Sequence, residues 1–380
     1  MDAERQPERP QRGGLLLGRI LGVPVRVSMA WVVVAVLLII VYAPLARARV
    51  PGLSVTGSYF AAVGFIALLL VSVLLHELGH AVAAQRHGIG VRGMTLWMLG
   101  GYTELEHEPR TPRSDLFVSL AGPVVSLLLG GVGLALFSML DAPSVLRELT
   151  FQFTFANLGV GVFNLLPGLP LDGGVLVRAG VWRISGSRDR ATVAAGWCGR
   201  VIAVAVIASG VVIGYLRLGS NVGVLFTIAV GAFLWMGATR AIQAGTLAVR
   251  LPMLNARSLA RPAITAAADL PLAEAIRRAQ AAEARAIVVV DGTGRAAGLV
   301  AGHAAAAVPE QRRPWIPVSS VSRSVEPGMI IPADLAGEPL LHALHAHPAT
   351  EYLVGEIDRV VGVLVATDVA DTLDPKGSIR

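Results

Sequence analysis

Long apolar runs separated by short polar stretches dominate the first two thirds of the chain, and the pattern predicts six helices that each come close to the length needed to cross a bilayer. They fall at Val27–Leu45, Tyr59–Ala84, Leu116–Leu140, Phe151–Leu166, Trp197–Tyr215 and Val222–Met236. The last is short and can extend past Ala238. A Pro/Gly-rich turn at Pro167–Gly174 and a short helix at Val175–Trp182 separate the fourth run from the fifth, and a mixed, glycine-rich segment, Gln85–Arg113, follows the second. Residues 1–26 are polar with Pro and Gly and read as a fraying N-terminal segment. They lack a short apolar core followed by a small-residue cleavage site, so the first run reads as a retained span. After Leu251 the pattern changes. Short β-rich runs such as Ala286–Asp291 alternate with helical periods such as Leu272–Ala282 and Pro339–His345, and Ala286–Val300 resembles Glu351–Val365. That is an α/β region of two similar halves, each a helix followed by a strand, a tight turn and a second strand. The fold class is therefore an α-helical polytopic membrane protein of about six transmembrane helices (27–250) with a C-terminal soluble α/β module (251–375).

Composition agrees. The chain is 54% hydrophobic and 15% charged over 380 residues, and its mean hydropathy of +0.64 is too high for an ordinary soluble enzyme. The net charge of +6 is almost wholly arginine, Lys376 being the one lysine. Arginines concentrate before the first span, between the second and third, between the fourth and fifth and after the sixth, which by the positive-inside rule puts both termini in the cytoplasm of a cell-membrane protein. No basic patch is interleaved with aromatics, so a nucleic-acid partner is not expected. The lone Cys198 excludes an intrachain disulfide and reads as a small packing residue.

The candidate chemistry lies inside the second run, at Leu74-Leu75-His76-Glu77-Leu78-Gly79-His80. Histidines four apart project from one helical face and can share a Zn²⁺, while Glu77 beside them can take a proton from the water that such an ion activates. The plain alternative is a satisfied core histidine pair with a buried Glu. Three ionisable groups in a membrane span are costly unless they act together, which favours the metal. With the span running outside to inside, His76 is about 15 Å from its cytoplasmic end. A catalytic zinc needs a third protein ligand. The best candidate is Asp172, in Asn164-Leu165-Leu166-Pro167-Gly168-Leu169-Pro170-Leu171-Asp172-Gly173-Gly174, where the prolines open the backbone. Its competing role is to cap the helix that follows.

These residues resemble the site-2 proteases, intramembrane zinc metalloproteases. The match rests on His76–His80 and Asn164–Gly174, supported by Leu99-Gly100-Gly101 and Ala121-Gly122-Pro123, over most of residues 15–240. The resemblance implies zinc at His76, His80 and Asp172, Glu77 as general base, Asn164 positioning substrate or the developing oxyanion, and a membrane-anchored protein substrate with a transmembrane segment, set in membrane lipid. The family often has Asn where this chain has Ser126, so no catalytic role is expected there. Met94–Leu99 could offer a strand edge to an unwound substrate; the alternative is an ordinary hairpin over the cytoplasmic mouth. The tail resembles tandem cystathionine-β-synthase-type (CBS) domains, about 255–308 and 317–373. Such pairs often bind adenine nucleotides and regulate an attached enzyme. Where the nucleotide-contacting pattern calls for Gly, two apolars, Ser/Thr and a later Asp, the second half reads Gly362-Val363-Leu364-Val365 with Asp368. The first reads Gly298-Leu299-Val300-Ala301 with Ala304 at the Asp position. A ligand-free docking module, with homodimerisation through the CBS pair, stands beside nucleotide binding. His342, His345 and His347 read as surface histidines. The rival to an endopeptidase is a transporter gated by its tail.

Overall fold

The computed structural model describes residues 14–98, 100–218, 220–356 and 359–373. The outermost N-terminal residues, Leu99 of the supporting motif and Lys376 lie outside that range. The chain forms two compact units, Met1–Gly245 and Thr246–Arg380.

The first unit departs from the sequence reading at its start. The segment read as fraying forms a hairpin, β1 (Leu15–Ile20) and β2 (Val23–Val27), turning at Leu21 and Gly22, both at positive φ. Val23, Val25 and Val27 alternate inward at 3%, 1% and 4% exposure. Burying such a side chain is worth about 1.5–3 kcal/mol, enough to hold a five-residue strand in spite of Pro24 and Arg26. Val23 and Val25 pack on Ala81 and Met94. β2 pairs in parallel with β3 (Val91–Trp97), which pairs antiparallel with β4 (Gly100–Leu105), in the order β1-β2-β3-β4. Met94–Leu96 is thus interior to the sheet, and the edge expected there belongs instead to β4. The period-2 signal in Val23–Val27 is too short to stand out beside Pro24 and Arg26.

Helices α1 (Met29–Arg49) and α2 (Val55–Arg86) follow, N-capped by Ser28 and Ser54. Helix α3 (Pro112–Ser138) starts at a capping box between Thr111 and Ser114, with Pro112 in its first turn. Helix α4 (Val145–Asn164) packs closely on it: a Cβ on Gly130 or Gly133 of α3 would strike Leu158 or Thr154 of α4. After the loop 165–171 come α5 (Asp172–Ser185), α6 (Arg188–Tyr215) and α7 (Asn221–Arg250). Among the described residues five helices, α1, α2, α3, α6 and α7, are long and apolar enough to cross a membrane. The remaining expected span, the fourth, falls on α4, which has 20 residues but carries Arg147, Glu148, Gln152 and Asn157. Three of these side chains are hydrogen-bonded inside the unit, Glu148 accepting from Tyr42, Arg49 and Gln152 and Asn157 donating to Ser72, while Arg147 lies over the Phe137 ring.

The second unit is one seven-stranded sheet with helices. In chain order it comprises α8 (Ala256–Leu259), β5 (Arg261–Ala267), α9 (Leu272–Ala281), β6 (Ala286–Val290), β7 (Ala296–Val300) and α10 (Gly302–Ala307). The second half continues with β8 (Ser322–Ser324), β9 (Ile330–Pro332), α11 (Gly337–Ala346), β10 (Glu351–Glu356), β11 (Arg359–Val365) and α12 (Ala366–Leu373). The strand order is β8-β7-β6-β5-β11-β10-β9. The repeat seen in sequence is present: β5-α9-β6-β7-α10 matches β9-α11-β10-β11-α12, with β5 parallel to β6 and β9 parallel to β10. Val288, Leu299, Leu353 and Val363 form the core that joins the halves. The lead-in segments are exchanged. Leu254 and Ala256 pack with Leu340, Tyr352 and Leu364 of the second half, whereas Val318 and Val321 pack with Leu272 and Val289 of the first. Each half thus completes the other's core, an exchange that sequence similarity between them does not reveal.

Candidate active site

His76, Glu77 and His80 lie on the buried face of α2, at 5%, 5% and 9% exposure. His80 Nδ1 is 2.7 Å from the carbonyl of Val118 on α3. A carbonyl only accepts, so that nitrogen carries the proton and Nε2 keeps its lone pair in the neutral ring. His76 Nδ1 is 2.9 Å from Ser126 Oγ, also on α3. Both Nε2 atoms therefore turn toward one point, 3.2 Å apart.

Asp172 completes the group. Its Oδ2 is 3.3 Å from His76 Nε2 and 3.4 Å from His80 Nε2. Leu171 is the N-cap of α5 and Asp172 its first residue, so the carboxylate faces the imidazoles and does not cap the helix. The turn that places it needs glycine: a Cβ on Gly173 would run into the carbonyls of Leu165 and Leu166, and one on Gly174 into the backbone of Gly168 and Leu169.

Three acceptors this close repel unless a cation lies among them. Ligands at 2.0–2.1 Å around a tetrahedral zinc stand about 3.3 Å from one another, which is the spacing of these three atoms. Among the described residues this is the one group of three or more His, Cys, Asp or Glu arranged to hold a metal; His342, His345 and His347 are not such a group. The space is reserved by an absent side chain as well, because a Cβ on Gly122 of α3 would overlap the Nε2 atoms of both His76 and His80. The residues fit zinc.

Glu77 is not one of the three. Its Oε2 accepts from Thr103 Oγ1 on β4 at 2.8 Å, and Gly101 of the same strand leaves room for its carboxylate. His76, Glu77, His80, Asp172 and Asn164 line one cavity of about 1080 Å³, together with apolar residues such as Phe226 of α7. That is at or above the upper end for small-molecule pockets, roughly 300–1,000 Å³, and suits a stretch of peptide. Thr103 and the carbonyl of Val118 gave no sequence signal, and Ser126 stood only as a departure from the family pattern. Asp115 and Arg178, which also line the cavity, were visible as charges in or beside apolar runs.

Two helix-borne histidines and a carboxylate arranged to hold a metal, with a glutamate beside them and helices of membrane-crossing length around them, are the constellation of a membrane-embedded metallohydrolase. Residues 64–156 and 140–209 match the model of "Peptidase family M50". The chain is 32% identical over 372 residues to Rip3 of Mycobacterium tuberculosis, named as a zinc metalloprotease, covering 96% of this chain and 93% of that one. It is 34% identical over 223 residues to sll0528 of Synechocystis sp., named in the same way, covering 58% of each. Among solved structures it is similar to the site-2 protease from Methanocaldococcus jannaschii, at a TM-score of 0.43 and 25% identity over 60% of this chain and 95% of that one. The chain belongs to peptidase family M50, the intramembrane zinc metalloproteases of site-2 type.

Proposed function

We propose that the protein is an endopeptidase of the cell membrane that cuts a membrane-anchored regulatory protein within or near its transmembrane segment. The observation that carries this is the convergence of His76, His80 and Asp172 beside Glu77 on a cavity lined by spanning helices. His76, His80 and Asp172 would hold zinc, which when bound polarises a scissile carbonyl and acidifies a water. Glu77 would serve as the general base, its carboxylate taking a proton from the attacking water and returning it to the leaving amine. Thr103 holds Glu77 Oε2, leaving Oε1 for the exchange. Asn164, in the cavity wall, is the side chain proposed to orient the substrate carbonyl.

A helical substrate hides its carbonyls in its own hydrogen bonds and must unwind to be cut. The strand that suits an unwound segment is β4, at the edge of its sheet with Gly101 and Thr103 against Glu77. The arginine distribution supports cytoplasmic termini.

For the tail, the reading favoured is a regulatory docking or homodimerisation module without a nucleotide. Asp368, retained from the nucleotide pattern, is engaged by Arg261, whose Nε and Nη2 donate to it at 2.8 Å each. Titration of the full chain with adenine nucleotides by calorimetry checks this, saturable heat being the contrary result. Protease function is tested by co-expression with candidate single-span proteins, wild type against Glu77→Gln, followed by mass spectrometry of new termini. Products equally abundant with both forms would sink the assignment.

A further inference from the structure

Helix α3 supplies none of the three zinc-binding side chains, yet it touches the support of each. Asp115, Val118, Gly122 and Ser126 recur at three- and four-residue steps and so share one face of the helix. Val118 accepts from His80, Ser126 bonds His76, and Gly122 leaves the space into which both Nε2 atoms point. Asp115 is the fourth member. Arg178 of α5 donates to it through Nε at 2.9 Å and Nη2 at 2.7 Å, with the carboxylate side chain 3% and the guanidinium side chain 15% exposed. Arg178 lies six residues beyond Asp172, about 9 Å along the helix.

We infer that the Arg178–Asp115 pair is a positioning device for the third ligand: it fixes the axial position and rotation of α5 on α3, and thereby the distance of the Asp172 carboxylate from the two imidazoles. This rests on the reading of Asp172 as a ligand. The glycines after Asp172 clamp the start of α5 to the loop 165–168, and Leu171 caps it with no side-chain bond, so the helix needs a second fixed point to hold its rotation. A planar guanidinium fork on a carboxylate supplies one, because two parallel bonds fix direction as well as distance. A buried ion pair contributes little net stability against an apolar substitute, so its best-attested use is to set register. The same α3 face then aligns all three ligands: two through their Nδ1 partners and the third through α5.

The test is zinc affinity of the full chain in detergent, measured by competition with a chromophoric chelator. Arg178→Gln and Asp115→Asn should each weaken zinc about 10–100-fold, the usual cost of losing an outer support of a metal ligand. In the Asp172→Asn background, Arg178→Gln should add nothing, because the pair acts through that carboxylate. A merely structural staple would weaken zinc by the same factor in both backgrounds, and that result overturns the inference. If Arg178→Gln does not accumulate, Arg178→Lys carries the test: it keeps the charge, loses the fork and should weaken zinc measurably, with an unchanged affinity counting against the proposal. Should Asp172→Asn itself leave zinc affinity intact, the ligand assignment fails. Should it weaken zinc while the Arg178 variants do not, the positioning role alone fails.

Discussion

Gly122→Ala is the smallest change that strikes the site without touching a polar group. The added methyl would stand 2.6 Å from His76 Nε2 and overlap His80 Nε2, whereas ordinary carbon contacts begin at 3.4 Å. For His76 alone the shortfall is about 0.8 Å, so α2 and α3 must separate or the imidazoles must leave their rotamers. Neither is free to move, because each Nδ1 is bonded to α3 itself. A displacement of about 1 Å at a catalytic centre costs on the order of 10²-fold in rate, and overpacking costs about 1–3 kcal/mol in stability. Gly131→Ala is the control. It lies on the same helix, and nothing stands within 4 Å of its added methyl. Zinc stoichiometry of the purified protein and cleavage of a co-expressed substrate are the measurements. Gly122→Ala should lose both and Gly131→Ala neither. Equal zinc content and equal cleavage in the two variants would refute the claim that this glycine reserves the metal's space.

Three further outcomes are expected. Glu77→Gln should retain zinc, since Glu77 is outside the ligand group, and lose roughly 10²–10⁴ in rate, the range for a general base; loss of the metal would mean the glutamate is a ligand. Thr103→Val removes the hydroxyl that donates to Glu77 Oε2 at 2.8 Å. A hydrogen bond to a charged group is worth about 1.5–3 kcal/mol, so the rate should fall about 10–100-fold with zinc unchanged, and an unaltered rate would deny Thr103 a part in orienting the base. In the second unit, Arg277 and then Arg278 hold the Glu274 carboxyl down to about 2. Its folded value is depressed, so its contribution is complete above the ordinary carboxylate value of about 4.3 and is lost as the pH falls toward 2. A site-resolved NMR titration of Glu274 with its midpoint at the ordinary value would show that these ion pairs do not persist in solution.

The helices, the repeat in the tail and the three side chains that converge in the cavity were legible in the sequence, for related reasons. Apolar runs of bilayer length have few alternatives, and a histidine, glutamate or aspartate placed among them costs too much to be incidental. The hairpin β1–β2 was not legible. Its signal is three valines in five residues, interrupted by Pro24 and Arg26, and the strand that gives them a partner, β3, lies more than sixty residues on. The exchange of Leu254 and Val318 between the halves of the tail escaped for the same reason, since a segment flanking a repeat does not itself repeat.

What the sequence withheld at the site is of another kind. The supports there act through groups that residue identity does not advertise: a backbone carbonyl at Val118, a missing Cβ at Gly122, and hydroxyls at Ser126 and Thr103 that are unexceptional in any helix or strand. Two histidines one turn apart bring their Nε2 atoms together only if each ring is rotated correctly, and ring rotation is set by the Nδ1 partner. Both partners lie on α3, eight residues apart, and so rise about 12 Å along it. They are met by histidines only four residues apart on α2, about 6 Å of rise. The two helices cannot support both rings by side-by-side contact at matching levels. One ring must reach a main-chain carbonyl and the other a side chain, and the helix between them must carry a residue with no side chain at all. A serine at 126 satisfies that requirement as well as the family's more usual asparagine, because what the position owes His76 Nδ1 is one hydrogen-bonding atom at 2.9 Å, which a hydroxyl supplies.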